Sequence, residues 1–117
     1  MPNSLPQLKT LSKENCLPCK GKSAMVRGLE IKKLKTQIPH WEIIQSGGVK
    51  KLQRTFLFKN FDQAMTLAIK IKKLADHADH HPALLVEWGK LTVTFWTHKI
   101  QGLHRNDFIM AAKVDKL

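Results

Sequence analysis

The spacing of apolar residues changes along the chain from helical to alternating and back. Met25, Leu29, Ile31, Leu34 and Ile38 recur at helical spacing, with Arg27, Glu30, Lys32, Lys33 and Lys35 largely elsewhere, and Pro39 ends the predicted helix. Trp41, Ile43 and Gln45 read as a short strand. Ser46-Gly47-Gly48 is a turn signal, because glycine takes positive φ cheaply. Leu52, Arg54, Phe56 and Phe58 form the returning strand, and Leu52, Phe56 and Phe58 share the parity that faces a core. Asn60 is placed to cap a second helix, in which Phe61, Met65, Ala68, Ile69, Lys72 and Ala75 make a stripe broadened by Ala64, Leu67, Ile71 and Leu74. This helix must end by about Asp79, since Pro82 pushes His81 out of the α region. Leu84-Leu85-Val86 starts a third strand, and a turn follows near Gly89. Leu91, Val93, Phe95 and Thr97 then alternate with Thr92, Thr94, Trp96 and His98 as a fourth strand. Gly102 breaks the chain, and a last helix begins at Asn106 or Asp107, carrying Ile109, Met110, Ala112 and Lys113 on one face. The order helix, hairpin, helix, hairpin, helix predicts an α+β fold: a two-layer sandwich of a four-stranded antiparallel sheet with helices on one face.

Length and composition narrow the class. The 117 residues make one folded domain, residues 26–117, preceded by an irregular arm, residues 1–25, with prolines at 2, 6 and 18. No apolar run reaches a transmembrane length and the N-terminus lacks the apolar region of a signal peptide, so a cytoplasmic protein is expected. The formal net charge of +11 would suit nucleic acid or an acidic membrane. The lysines are scattered and not massed on one helix face, so a solvated basic surface is expected, with neither partner. Cys16-Leu17-Pro18-Cys19 has redox or zinc spacing. It has no second ligand pair and no preceding strand, and is read as non-functional.

Histidines carry the candidate chemistry. His77, His80, His81, His98 and His104, five of the six, fall in one window of the C-terminal half. Imidazole titrates near neutrality, so the cluster points to proton transfer, metal binding or a pH switch. His77 and His81 are four apart, as zinc ligands on a helix are, but Pro82 takes His81 off the helix and no glutamate lies between them. A metal is not expected. The bland alternative makes His80 a helix cap, His81 a turn residue and His98 a strand neighbour. Acid–base work on one small substrate uses all three together.

His80-His81-Pro82, the stretch from Trp88 to His98, and Gly102-Leu103 followed by Asp107 closely resemble the pterin-4a-carbinolamine dehydratases, most of all the bacterial members associated with phenylalanine hydroxylase. The Ile38-Pro39-His40-Trp41 turn and the passage from Arg54 to Phe61 match as well, and the resemblance runs from about residue 28 to 115. It implies an enzyme without metal or organic cofactor. The reaction is removal of water from 4a-hydroxytetrahydropterin, left by aromatic amino-acid hydroxylases, to give a quinonoid dihydropterin for recycling.

Carried over by position, His80 and His98 are the acid–base pair, with donor and acceptor left open, and His81 is a third catalytic residue that also binds substrate. Pro82, Thr97, Lys99 and Ile100 join the pterin-binding edge, and Asp107 and Asp76 are supporting residues. Many members have glutamate where Asp76 stands, which questions its reach. Some have arginine immediately before the distal aspartate, where this chain has Asn106 with Arg105 one earlier. The family also implies a homodimer or homotetramer, and leaves room for contact with an aromatic amino-acid hydroxylase. The alternative is a non-enzymatic regulatory or dimerisation module acting on a hydroxylase or a transcription factor, as in some animal members.

Overall fold

The structure is a computed structural model that describes residues 10–17 and 25–117. Among these, α1 (Gly28–Lys35), β1 (Glu42–Ser46), β2 (Val49–Leu57), α2 (Phe61–Ala78), β3 (Ala83–Glu87), β4 (Lys90–Phe95) and α3 (Arg105–Val114) follow one another in the expected order. The strands form an antiparallel sheet in the order β1-β2-β4-β3, so the two hairpins meet at β2 and β4 and leave β1 and β3 at the edges. The α+β sandwich expected from the pattern is the fold observed.

Local chemistry explains the elements. Gly47 and Gly48 take φ of 58° and 78°, the pair of positive values that lets a two-residue turn follow the twist of its strands. The Asn60 carboxamide oxygen accepts from the Gln63 N–H at 2.9 Å and so caps α2. The buried side of α2 is Ala64, Ala68, Ile71 and Ala75, joined by Leu67 and Leu74, whereas Phe61 and Ile69 are exposed. Small residues there bring the helix close over β3 and β4. Leu91, Val93 and Phe95 supply the sheet's side of the core, with Leu52. Arg54 shares the parity of Leu52, and its guanidinium pairs with Asp115 at 2.6 Å, an acceptor that also takes the Trp41 indole N–H at 2.9 Å.

Three expectations are corrected. The first helix runs only from Gly28 to Lys35, and Leu29 is 75% exposed; its buried residues are Ile31 and Leu34, with Ile38 in the loop behind. Met25 precedes the helix and makes an isolated bridge to His104, so it never shared the helical face. The fourth strand stops at Phe95: Thr97 turns back to bridge Gly102, and His98 opens a short 3₁₀ turn, His98–Ile100. The last helix begins one residue earlier, at Arg105, and it is buried nearly all round, with Phe108 and Ala111 enclosed as well as Ile109, Met110 and Ala112.

The described part of the arm is packed on the domain. Leu11–Lys13 forms a 3₁₀ turn against α3, and the Leu11 side chain is fully buried in the core. Leu11→Ala is expected to lower unfolding free energy by about 2–4 kcal/mol, because a cavity is added to the lost burial. The exposed Leu29→Ala is expected to change it by no more than about 0.5 kcal/mol. Urea denaturation of the two variants measures both, and equal midpoints would contradict the packing described.

Candidate active site

Three structural devices bring the site together. The first is the end of α2. Asp79 takes the left-handed conformation, φ 52° and ψ 42°, and the His80 N–H returns to the Ala75 carbonyl at 3.2 Å. The chain leaves the helix there, and His80 lies stacked on Phe95, ring centroids 6.1 Å apart and 5° from parallel. The second is the loop after β4. The Thr97 N–H donates to the Gly102 carbonyl at 2.9 Å, and Gln101, at φ 51°, donates through its carboxamide to the His98 carbonyl at 2.7 Å. The third is the first turn of α3. His104 is its N-cap: the unprotonated Nδ1 accepts from the Asn106 N–H at 2.9 Å, while Asp107 accepts from the His104 N–H at 2.9 Å.

Asp107 ties the three together. Its carboxylate is fully buried and spans three donors: Oδ1 lies 2.6 Å from His80 Nε2, and Oδ2 accepts from the Thr97 hydroxyl at 2.8 Å and from the His104 N–H. A carboxylate only accepts, so this bond assigns the Nε2 proton to His80, and in the neutral ring the lone pair is then on Nδ1. Position at a helix N-terminus favours the same negative charge.

A cavity of about 610 Å³ opens over this arrangement, walled by His80, His81, Thr97, His98 and Lys99 among others. The structure therefore brings five of the singled-out residues to one cavity. Pro82 and Ile100 are not in its wall: Ile100 is fully buried beneath the 98–100 turn, and Pro82 leads into β3. His81 is exposed, and its Nε2 meets Asp76 at 3.0 Å. Asp76, shorter than glutamate, thus reaches a histidine; it also pairs with Lys72 at 2.6 Å, and the hydrogen bonds from Lys72 and His81 hold its carboxyl below the usual carboxylate range. His98 rests against Trp96, centroids 4.6 Å apart, and the Lys51 ammonium sits 3.9 Å from the centre of the same indole.

Sequence reasoning missed Trp96, Asn106, Cys16 and Leu17 in the wall. Arg105 faces away to Glu14, whose carboxylate pairing raises it further above an already high value. Cys16 carries no negative charge at neutral pH, since burial pushes its thiol up to about 11. Cys19, the other half of the C-x-x-C, lies outside the described residues. Among the described residues no helix is long and apolar enough to cross a membrane.

Comparison with known proteins adds to this geometry. Residues 26–117 match the family model described as pterin 4 alpha carbinolamine dehydratase. A Nitrosococcus oceani protein named for pterin-4-alpha-carbinolamine dehydratase is 49% identical over 110 residues, 94% of this chain and 97% of its own. A Marinobacter nauticus protein of the same name is 46% identical over 110 residues, 94% and 99% of the two chains. A crystal structure from Brucella melitensis, described as a transcriptional coactivator/pterin dehydratase, superposes with a TM-score of 0.70 at 25% identity, covering 79% of this chain and 96% of that one.

The cap of α3 makes stability depend on pH. Burial holds His104 below the ordinary value of 6.5, against the opposing pull of Asp107. The neutral ring is the form that caps. A depressed folded value means that this contribution is complete above the unfolded value and is lost as pH falls through the folded one. The urea midpoint is therefore expected to fall as pH drops below about 6.5, and less steeply in His104→Asn, which caps without titrating. Parallel slopes for the two proteins would show that His104 is not the group responsible.

Proposed function

Since this chain belongs to the pterin 4 alpha carbinolamine dehydratase family, we propose that it is a hydro-lyase that removes water from 4a-hydroxytetrahydropterin by histidine acid–base catalysis. The observation that carries the histidine assignment is the single cavity walled by His80, His81 and His98, with His80 held by a buried carboxylate.

The reaction breaks the C4a–O bond and forms C4a=N5. Hydroxide is a poor leaving group, so the oxygen needs a proton, and the N5 proton must depart as the double bond forms. His80, with its Nε2 proton fixed on Asp107, offers Nδ1 as the base for N5–H. His98, exposed at the cavity wall, protonates the leaving oxygen and regains its proton from solvent. Products are water and quinonoid dihydropterin; His80 releases the N5 proton to solvent as His98 takes one up, so the two transfers balance. His81, steadied by Asp76, binds the substrate, and Thr97 and Lys99 form the adjoining edge. Asp107 acts through His80 and Thr97 as a positioning residue. Pro82 and Ile100 act one step further back, by shaping the turn and the loop.

In this reading an aromatic amino-acid hydroxylase, phenylalanine hydroxylation being the bacterial precedent, supplies the carbinolamine in the cytoplasm and is a candidate contact. Among the described residues β3 is an edge strand, and its outer backbone groups are offered for pairing with another copy of the chain. A second reading, a regulatory module on the same fold, is favoured by the +11 charge and by the coactivator description of the Brucella structure.

Stopped-flow absorbance of freshly generated 4a-hydroxytetrahydropterin separates the two. The wild type is expected to exceed the spontaneous decay, and His80→Ala and His98→Ala are each expected to lose roughly 10²–10⁴ of that acceleration. Asp107→Asn, which exchanges an acceptor for a partial donor, is expected to lose kcat with little change in KM. Decay at the spontaneous rate with wild type would sink the dehydratase reading and leave the regulatory one.

A further inference from the structure

One wall of the cavity plays no part in the proton transfers. Cys16 and Leu17 form it, in a cavity that His80 and His98 also line, and both precede the region matched by the family model. The relatives' alignments, 110 residues long, are longer than residues 26–117 and so extend beyond it.

This wall is built, not incidental. Asn106 is 5% exposed, and its carboxamide takes both backbone groups of one residue: the oxygen accepts the Leu17 N–H at 2.9 Å and the nitrogen donates to the Leu17 carbonyl. Arg105 adds a two-bond fork to Glu14 at 2.9 and 2.7 Å, and the Lys113 ammonium donates to the Ser12 carbonyl at 3.0 Å. Leu17 itself is 66% exposed, so its side chain adds little to the core. A leucine whose backbone is fixed twice, which lines the cavity and whose side chain is largely exposed, gains burial if a flat ring in that cavity packs on the side chain. Asn106 and Asp107 are successive residues of one helical turn, one facing the arm and the other facing His80.

We propose that Asn106 is a positioning residue for substrate binding: by holding Leu17 it sets a wall against which the pterin ring packs, so that residues 16 and 17 are part of the substrate site. The proposal rests on the dehydratase reading for its ligand and assigns the arm a role in affinity, not in chemistry.

The test uses the full chain with Asn106→Ala and Leu17→Ala. Steady-state kinetics on the carbinolamine are paired with calorimetric titration of 7,8-dihydropterin, a ligand that cannot be dehydrated. Each variant is expected to raise KM and the dihydropterin Kd about fivefold or more, with kcat within about twofold of wild type. Leu17→Ala, at an exposed position, does not depend on refolding of the clamp. Wild-type KM and Kd in folded Leu17→Ala would overturn the proposal, as would a loss confined to kcat. If wild type failed to speed the reaction while dihydropterin bound and the variants weakened it, the arm would keep its role and the dehydratase reading alone would fall.

Discussion

A carboxylate shut away from water has to find donors inside the protein, and in this chain that requirement organises the whole C-terminal half. Asp107 obtains its three donors from the end of α2, from the loop after β4 and from the cap of its own helix. Removing one partner of a buried charge commonly costs about 3–5 kcal/mol, so a shift of any of the three elements is opposed by the donor it would withdraw. The same bonds fix the tautomer of His80. Fold and candidate chemistry therefore share one electrostatic constraint, and the cavity is where it comes to the surface.

The helices are arranged to serve that constraint. Alanines on the buried side of α2 bring the helix close to β3 and β4, so its C-terminus delivers His80 onto Phe95. The left-handed Asp79 stops the helix one residue before the imidazole, and the proline two residues further on keeps the chain extended into β3. On the other side of the cavity the bridge between Thr97 and Gly102 folds the end of β4 back on itself, which lifts His98 and Lys99 to the wall and sinks Ile100.

Much of this was legible because its causes are local. Paired glycines, the Asn60 cap, the stop before Pro82 and the alternation from Leu91 to Phe95 each depend on neighbours a few residues away, and each came out as read. The family signature placed His80, His81, His98 and Asp107 together before any geometry was known. The misreadings have a common origin. Leu29 and Met25 fit a periodicity whose frame begins only at Gly28, and alternation through Trp96 to His98 continues past the last residue of β2 that β4 pairs with, Leu52 opposite Phe95. A polarity pattern carries no record of where the ladder ends. The wall at Leu17 left no trace, because its partners are polar side chains 89 and 91 positions away.

Those long separations bear on the order in which the protein is made. Ser12, Glu14 and Leu17 leave the ribosome well before Arg105, Asn106 and Lys113, the residues they bind. Contacts of such range cannot form during most of synthesis and carry a large loop-closure cost. The hairpins and α2 can associate beforehand through nearer contacts. Docking of the arm then comes late, so a nascent or partly unfolded molecule would hold its sheet and its imidazoles before it had a finished cavity.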